Sequence, residues 1–203
     1  MKLINFGHSC FYIESNQGTI AFDPYIDGSV PGLTCPSFSC SKLFVSHEHS
    51  DHNARNKVIE LNNAKIEFTY LKTFHDKSLG QSRGENIIYK VNVDGLIVAH
   101  LGDYGDFITD ELIDFLSDAD IILCPINGFY TIGAKEAKQI LDIIKPKIFI
   151  PMHYYKNGTG YEDGGQIDIF KSLIKDFVSL NTNEIEISED VKFATNVVIF
   201  ERS

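Results

Sequence analysis

The sequence predicts an α/β protein folded as one domain, residues 1–203, on three observations. Short β-rich runs fill the first half of the chain. From Thr109 onward, helical periodicity alternates with buried strand runs. No Pro/Gly/Ser-rich linker interrupts the 203 residues, a length that suits one sizeable core and is short for two. Hydrophobic residues make up 43% and charged residues 23%, the balance of an ordinary globular chain.

The β-rich runs are residues 2–6, 10–15, 18–22, 42–46, 65–70, 86–92 and 95–101. Asn16-Gln17-Gly18 and Asp94-Gly95 have the residue types of hairpin turns, because asparagine, aspartate and glycine tolerate positive φ. Thr109 to Leu116 has helical spacing, and Asp110 and Glu111 in its first turn complement the helix dipole. Ile121-Ile122-Leu123-Cys124 reads as a buried strand. Ala134 to Ile144 is helical and stops before Pro146, and Lys147 to Ile150 is again a buried strand. Gln166 to Phe177 places Ile167, Phe170, Leu173, Ile174 and Phe177 on one helical face. Strands near 183–188 and 196–201 close the chain. Residues 24–41 lack periodicity; a loop this long is either a substrate-contacting flap or plain surface.

Composition excludes several classes of partner. Lys and Arg number 18 against 28 Asp and Glu, a net charge of −10 with no basic cluster. Nucleic acid is bound by dense positive charge, so it is not expected here, and a small-molecule substrate is. Met1 to His8 is no signal peptide, since its apolar stretch is short and His8 and Glu14 interrupt the continuation. No run approaches the ~18–20 apolar residues that span a bilayer. Cys10, Cys35, Cys40 and Cys124 lack metal-finger spacing. Cys35 and Cys40 share one loop and could pair, but without an export signal all four read as reduced, and a cytoplasmic location is expected. A homo-oligomer is compatible with all of this.

His47-Glu48-His49-Ser50-Asp51-His52 follows the apolar run Lys42 to Ser46. A strand ending in such a turn can aim His47 and His49 at one cation and Asp51 and His52 at a second. A lone histidine here would be a solvated loop residue, but four ligands in H-x-H-x-D-H spacing are a metal site. Two divalent cations roughly 3.5–4 Å apart can share a water and lower its pKa towards neutrality.

This motif, extended to Val45 and Asn53, resembles the signature of the metallo-β-lactamase superfamily. The resemblance continues through Phe6-Gly7-His8-Ser9-Cys10-Phe11, Ala21-Phe22-Asp23-Pro24, Phe74-His75-Asp76, Gly80, Arg83-Gly84-Glu85-Asn86 and Ala99-His100-Leu101-Gly102-Asp103. Pro125 to Thr131 and Pro151-Met152-His153-Tyr154 complete it. These flanking motifs are similar to an uncharacterised Zn-dependent hydrolase branch. The resemblance implies a four-layer αββα sandwich, two mixed β-sheets with helices outside and ligand loops along one edge.

It also implies a ligand set. One metal takes His47, His49 and a third histidine, either His75 or His100, with family spacing favouring His75. The other takes Asp51, His52 and His153, and Asp103 bridges the two. The alternatives are a cap for Asp103 and a core histidine for His153. Asp23 would orient the histidine loop by hydrogen bonds. Asp51 would hold the attacking hydroxide and carry a proton. His8 is a proton donor to the substrate or a buried, hydrogen-bonded histidine. Arg83 holds an anionic substrate group or is a solvated turn residue. Tyr130 and Tyr154 flank ligand loops, and Asp76 and Lys77 are weaker candidates.

The implied activity is hydrolysis of an ester, lactone or phosphodiester-type bond by a water shared between two divalent metals, with zinc favoured over manganese or iron. The branch's similarity to ascorbate-6-phosphate lactonase and phospholipase-D-type members puts lactone and phosphodiester cleavage first. The competing classes are redox chemistry and non-catalytic metal binding. Flavodiiron-type members carry glutamate where this chain has His49, and their appended flavodoxin-like domain is missing.

Overall fold

Two tight hairpins set the register of the first half of the chain. The computed structural model describes residues 1–190 and 195–201. Strands β1 (Lys2–Asn5), β2 (Phe11–Ser15) and β3 (Gly18–Phe22) form a meander, with Ser15 opposite Gly18 across the Asn16-Gln17 turn. After β4 (Phe38–Cys40), β5 (Lys42–Phe44) joins β3 in parallel, Ala21 opposite Leu43. A 3-10 turn at Arg55–Lys57 leads into β6 (Val58–Glu60), which pairs with β4.

The second sheet begins with β7 (Glu67–Phe74), β8 (Glu85–Val93) and β9 (Leu96–His100). Asp94 and Gly95 sit at φ 49° and 79°, the paired positive dihedrals of a two-residue hairpin between β8 and β9. The remaining strands run parallel to β9 through helical crossovers: α1 (Asp110–Leu116), β10 (Ile121–Pro125), α2 (Ala134–Ile144) and β11 (Ile148–Met152). Every residue of β10 and β11 is buried, as parallel strands covered on both faces require. The chain ends with α3 (Ile167–Leu173), β12 (Val178–Leu180), β13 (Glu184–Glu186) and β14 (Val198–Phe200). The resulting sheets are ordered β13-β1-β2-β3-β5 and β11-β10-β9-β8-β7, both mixed.

The sheets pack face to face. Leu3, Phe11, Ile13, Phe22 and Phe44 of the first meet Val91, Val98, Leu123 and Ile150 of the second. Helices α1 to α3 cover the outer face of the second sheet through Leu112, Leu116, Ile140 and Phe170. Each such side chain contributes roughly 1.5–3 kcal/mol by leaving water. Two mixed sheets packed face to face, with helices outside the second, are the core of the sandwich that the resemblance implies. Over the outer face of the first sheet, the covering layer is built from residues 24–41, β6 and the 3-10 turn, with Tyr25, Val30, Cys35, Phe38 and Val58 turned inward.

Several boundaries differ from the sequence reading. The helix expected over Gln166–Phe177 ends at Leu173, because Ile174 turns extended (φ −108°, ψ 150°) so that Val178 can start β12. That strand pairs in parallel with β14, a three-residue contact too short to signal itself. Strand β7 runs on to Phe74 and so delivers His75 to the sheet edge. All four cysteines are free and buried, so Cys35 and Cys40 do not pair. Among the described residues, no helix is long and apolar enough to cross a membrane.

Candidate metal centre

The carboxyl ends of β1, β3, β5, β7, β9 and β11 meet along one edge of the sandwich. Each emits a polar side chain within a few residues of its last rung: His8, Asp23, His47, His75, Asp103 and His153. His8, Asp23 and His153 have φ of 55°, 43° and 54°, a left-handed conformation that costs of order 1 kcal/mol or more outside glycine. Gly102 has φ +56°, and a Cβ there would collide with the Asn86 side-chain oxygen and with Ser46. Glycine at this position lets β9 turn sharply and present Asp103.

Three groups of potential ligands have donor atoms within 4.8 Å of one another: His47, His49 and His75; His8, Asp51, His52 and His153; and His47, His52 and Asp103. Asp103 lies between the first two. Its Oδ2 is 3.1 Å from Nε2 of both His75 and His153, and its Oδ1 is 3.1 Å from His52 Nε2. His47 Nε2 is 3.9 Å from Oδ2.

Protein hydrogen bonds orient the rings of His52 and His47. The Asp23 carboxylate accepts from Ser46 N (2.7 Å), from Ser46 Oγ (2.6 Å) and from His52 Nδ1 (2.8 Å). Ser46 Oγ has spent its one proton on Asp23, so it accepts from His47 Nδ1 at 2.9 Å. In both rings Nδ1 carries a proton, and Nε2 turns towards Asp103. A carboxylate behind a ligating histidine fixes its orientation and raises its basicity. His100 is used differently. Its Nε2 donates to Ser9 O (2.9 Å), its Nδ1 accepts from Gly102 N (3.1 Å), and its ring stacks on Phe22 at 4.8 Å. Both of its nitrogens are committed, and it belongs to none of the ligand groups.

A metal fits this donor set. His47 Nε2, His52 Nε2, His153 Nε2 and Asp103 Oδ1 are buried without a hydrogen-bond partner among the described residues, although His52 and His153 stand 3.1 Å and His47 3.9 Å from the Asp103 carboxylate. Atoms that approach so closely without hydrogen-bond alignment are aimed at a common point rather than at each other, and buried polar atoms left unpaired are costly. The charges agree. Burial pushes His47 down to about 3 and His8 down to about 4, leaving neutral imidazoles. Burial would raise the Asp103 carboxyl, but His153 and His52 hold it well below the ordinary carboxylate range. For His52, burial is outweighed by Asp103 and Asp23, which draw a proton onto the ring when no other cation lies between them.

Asp51 faces the same space from the turn. Its Oδ2 is 3.3 Å from His8 Nε2 and accepts a hydrogen bond from Tyr161 Oη at 3.1 Å. Burial favours the protonated acid, yet His8 and His52 prevail and keep the Asp51 carboxyl low. Tyr161 has no signal in the sequence, since it lies in an aperiodic segment. It reaches the centre because Gly160 N bonds Pro31 O (2.9 Å), and its single hydroxyl proton is shared between Ser29 O (2.8 Å) and Asp51 Oδ2 (3.1 Å). Residues 24–41 thereby form one wall of the site. Asn86 also went unassigned from sequence; its side chain accepts from Asp103 N at 2.9 Å and donates to Leu101 O at 3.0 Å.

Tyr154 does not face the centre. Its hydroxyl donates to Phe200 O (3.1 Å), joining β11 to β14. Asp76 organises the loop after β7, accepting from the backbone nitrogens of Ser78 (2.8 Å), Gly80 (3.1 Å), Ser82 (3.1 Å) and Arg83 (2.8 Å). Lys77 pairs with Glu136 at 3.3 Å.

Replacing His75 and His100 separately separates ligand from core. His75→Ala is expected to lose metal, whereas His100→Ala should keep the parent's metal content and lose ~2–3 kcal/mol of stability through cavity and unpaired groups. Metal analysis beside thermal melts reads both, and metal loss only in His100→Ala reverses the assignment.

Comparison with known proteins agrees with this architecture. Residues 2–153 match the model of the β-lactamase superfamily domain. A UPF0173 protein of Pyrococcus abyssi is 30% identical, covering 81% of this chain and 88% of its own. A UPF0173 metal-dependent hydrolase of Staphylothermus marinus is 32% identical over 76% of this chain and 84% of its own. A solved structure from Thermotoga maritima, named for the metallo-β-lactamase superfamily, superposes with a TM-score of 0.76 at 30% identity, covering 98% of this chain and 97% of that one.

Proposed function

The chain belongs to the β-lactamase superfamily, and from that premise we propose a metal-dependent hydrolase with a two-cation centre that cleaves an ester, lactone or phosphodiester-type bond of a small molecule. The observation that carries this reading is the pairing of two ligand clusters about one carboxylate, Asp103. His47, His49 and His75 would hold one cation and Asp51, His52 and His153 the other, with the Asp103 carboxylate between the two clusters.

Zinc suits so nitrogen-rich a set, with manganese and iron the alternatives. Bound cations would supply Lewis acidity and bring the pKa of a water down to about 7. The protein's own groups do the rest. Asp51 orients the attacking water and takes its proton on Oδ2. His8, neutral and 3.3 Å away, and the Tyr161 hydroxyl hold that oxygen in place. Asp23, through Ser46 and His52, keeps the ligand loop rigid.

In this reading residues 1–203 act as one domain, since the late strand β13 completes the sheet begun by β1. The free buried cysteines favour a reducing, cytoplasmic setting. The net charge of −10 disfavours nucleic acid as substrate.

Protein purified without added metal should carry about two transition-metal ions per chain. Excess EDTA should abolish hydrolysis across an ester, lactone and phosphodiester panel, and zinc or manganese should restore it. A metal-free protein that is well folded and fully active sinks the reading.

A further inference from the structure

A cleft of about 310 Å³ opens beside His75, between the Asp76 loop and residues 128–133, and its lining includes Arg83, Phe129, Tyr130 and Thr131. The Arg83 guanidinium carbon lies 5.5 Å from the ring centroids of both Phe129 and Tyr130. Those contacts preorganise the planar fork without occupying its donors. Among the described residues no carboxylate pairs with it, whereas Arg55 is bound to Glu48 at 3.0 Å. Lys77 and Glu136, also at the cleft, neutralise one another at 3.3 Å. The Asp76 carboxylate also lines the cleft but is spent on the backbone amides of its own loop, so the Arg83 guanidinium keeps its donors free of any ion pair among the described residues.

Both walls are held rigid. Asp76 accepts the Arg83 backbone nitrogen at 2.8 Å, and Gly84 N bonds Gly80 O at 2.9 Å, fixing the loop that carries the guanidinium. Opposite, the buried Asn127 side chain accepts from Phe129 N (3.1 Å) and Tyr130 N (2.9 Å). The aromatic wall runs on from Phe129 to Tyr130 (4.8 Å) and Tyr130 to Tyr161 (5.2 Å), and Tyr161 touches Asp51. One continuous surface thus joins the guanidinium to the centre.

We propose that Arg83, backed by Phe129 and Tyr130, is a subsite for an oxyanion, a carboxylate or phosphate carried by the substrate away from the bond that is cleaved. This rests on the hydrolase reading. It narrows the substrates to anionic esters, lactones or phosphodiesters bearing a second charged group, gripped by paired charge-assisted hydrogen bonds.

Calorimetric titration of the metal-loaded protein with glutarate and, separately, with inorganic phosphate tests the subsite. Arg83→Gln should bind the recognised anion ~10–100-fold more weakly than the parent. Arg83→Lys, which keeps charge and loses the fork, should fall between them, and unchanged melting temperatures would show that both variants fold. Loss of glutarate binding identifies a carboxylate, and loss of phosphate binding identifies a phosphate. Equal affinity of parent and Arg83→Gln for both anions overturns the subsite while leaving hydrolysis untouched. If no member of the hydrolysis panel turns over, the hydrolase reading fails on its own.

Discussion

Asp103→Asn is expected to strip the protein of metal and with it of activity. The carboxylate reaches three ring nitrogens at 3.1 Å: His52 through Oδ1, and His75 and His153 through Oδ2. Asparagine preserves the volume and one oxygen, and its backbone nitrogen can still donate to the Asn86 side chain. The substitution removes the one negative charge placed between the two ligand clusters and puts an amide nitrogen among the histidines. Losing a hydrogen-bond partner behind a metal ligand costs ~10–100-fold in affinity. Losing a shared ligand should exceed that at both positions, so metal content should fall from about two ions per chain to one or fewer, and turnover below ~1%. Metal analysis after dialysis, paired with a panel assay, reads both. Retention of two ions by Asp103→Asn would remove Asp103 from between them.

Much of this arrangement was readable because the chain states it locally. His47 to His52 sit in six consecutive positions, so the ligand cluster that the fold gathers is already adjacent in the chain. The Asp94-Gly95 hairpin and α2, which runs from Ala134 to Ile144 and stops before Pro146, were equally explicit, because turn and helix signals act over a few residues. Groups that act across long sequence separations left no such trace. Tyr161 meets Asp51 from 110 positions away, brought there by the bonds of Gly160 N to Pro31 O and of its own hydroxyl to Ser29 O. In the sequence Ser46 only ends an apolar run, yet in the fold it transmits Asp23 to His47 through its hydroxyl. His100 and His75 both follow strand-like sequence. What divides them is that the carbonyl of Ser9 and the amide of Gly102 satisfy one ring completely, a tertiary fact. The covering layer of the first sheet was invisible for the same reason, since residues 24–41 have no periodicity and take their order from what they pack on.

Asp51→Asn is expected to stop chemistry while leaving much of the metal in place. Asp51 stands at the turn beside His52, and its Oδ2 gathers His8 Nε2 at 3.3 Å and the Tyr161 hydroxyl at 3.1 Å. Both contacts reach the oxygen assigned as proton acceptor. His8 and His52 keep that carboxyl ionised against its burial, so the acceptor is charged through the neutral pH range. Asparagine retains an oxygen able to ligate, as well as the size of the side chain, but it cannot take a proton. Loss of a general base costs ~10²–10⁴-fold, and turnover should fall by that factor while KM moves little. His8→Gln should show a smaller loss, because a neutral imidazole at that distance positions the carboxylate and does not replace it. Metal content must be measured on the same samples, so that lost chemistry is not mistaken for lost metal. If Asp51→Asn keeps near-full metal and near-full turnover, the proton goes elsewhere, and His8, whose Nε2 shares the same space, becomes the group to test.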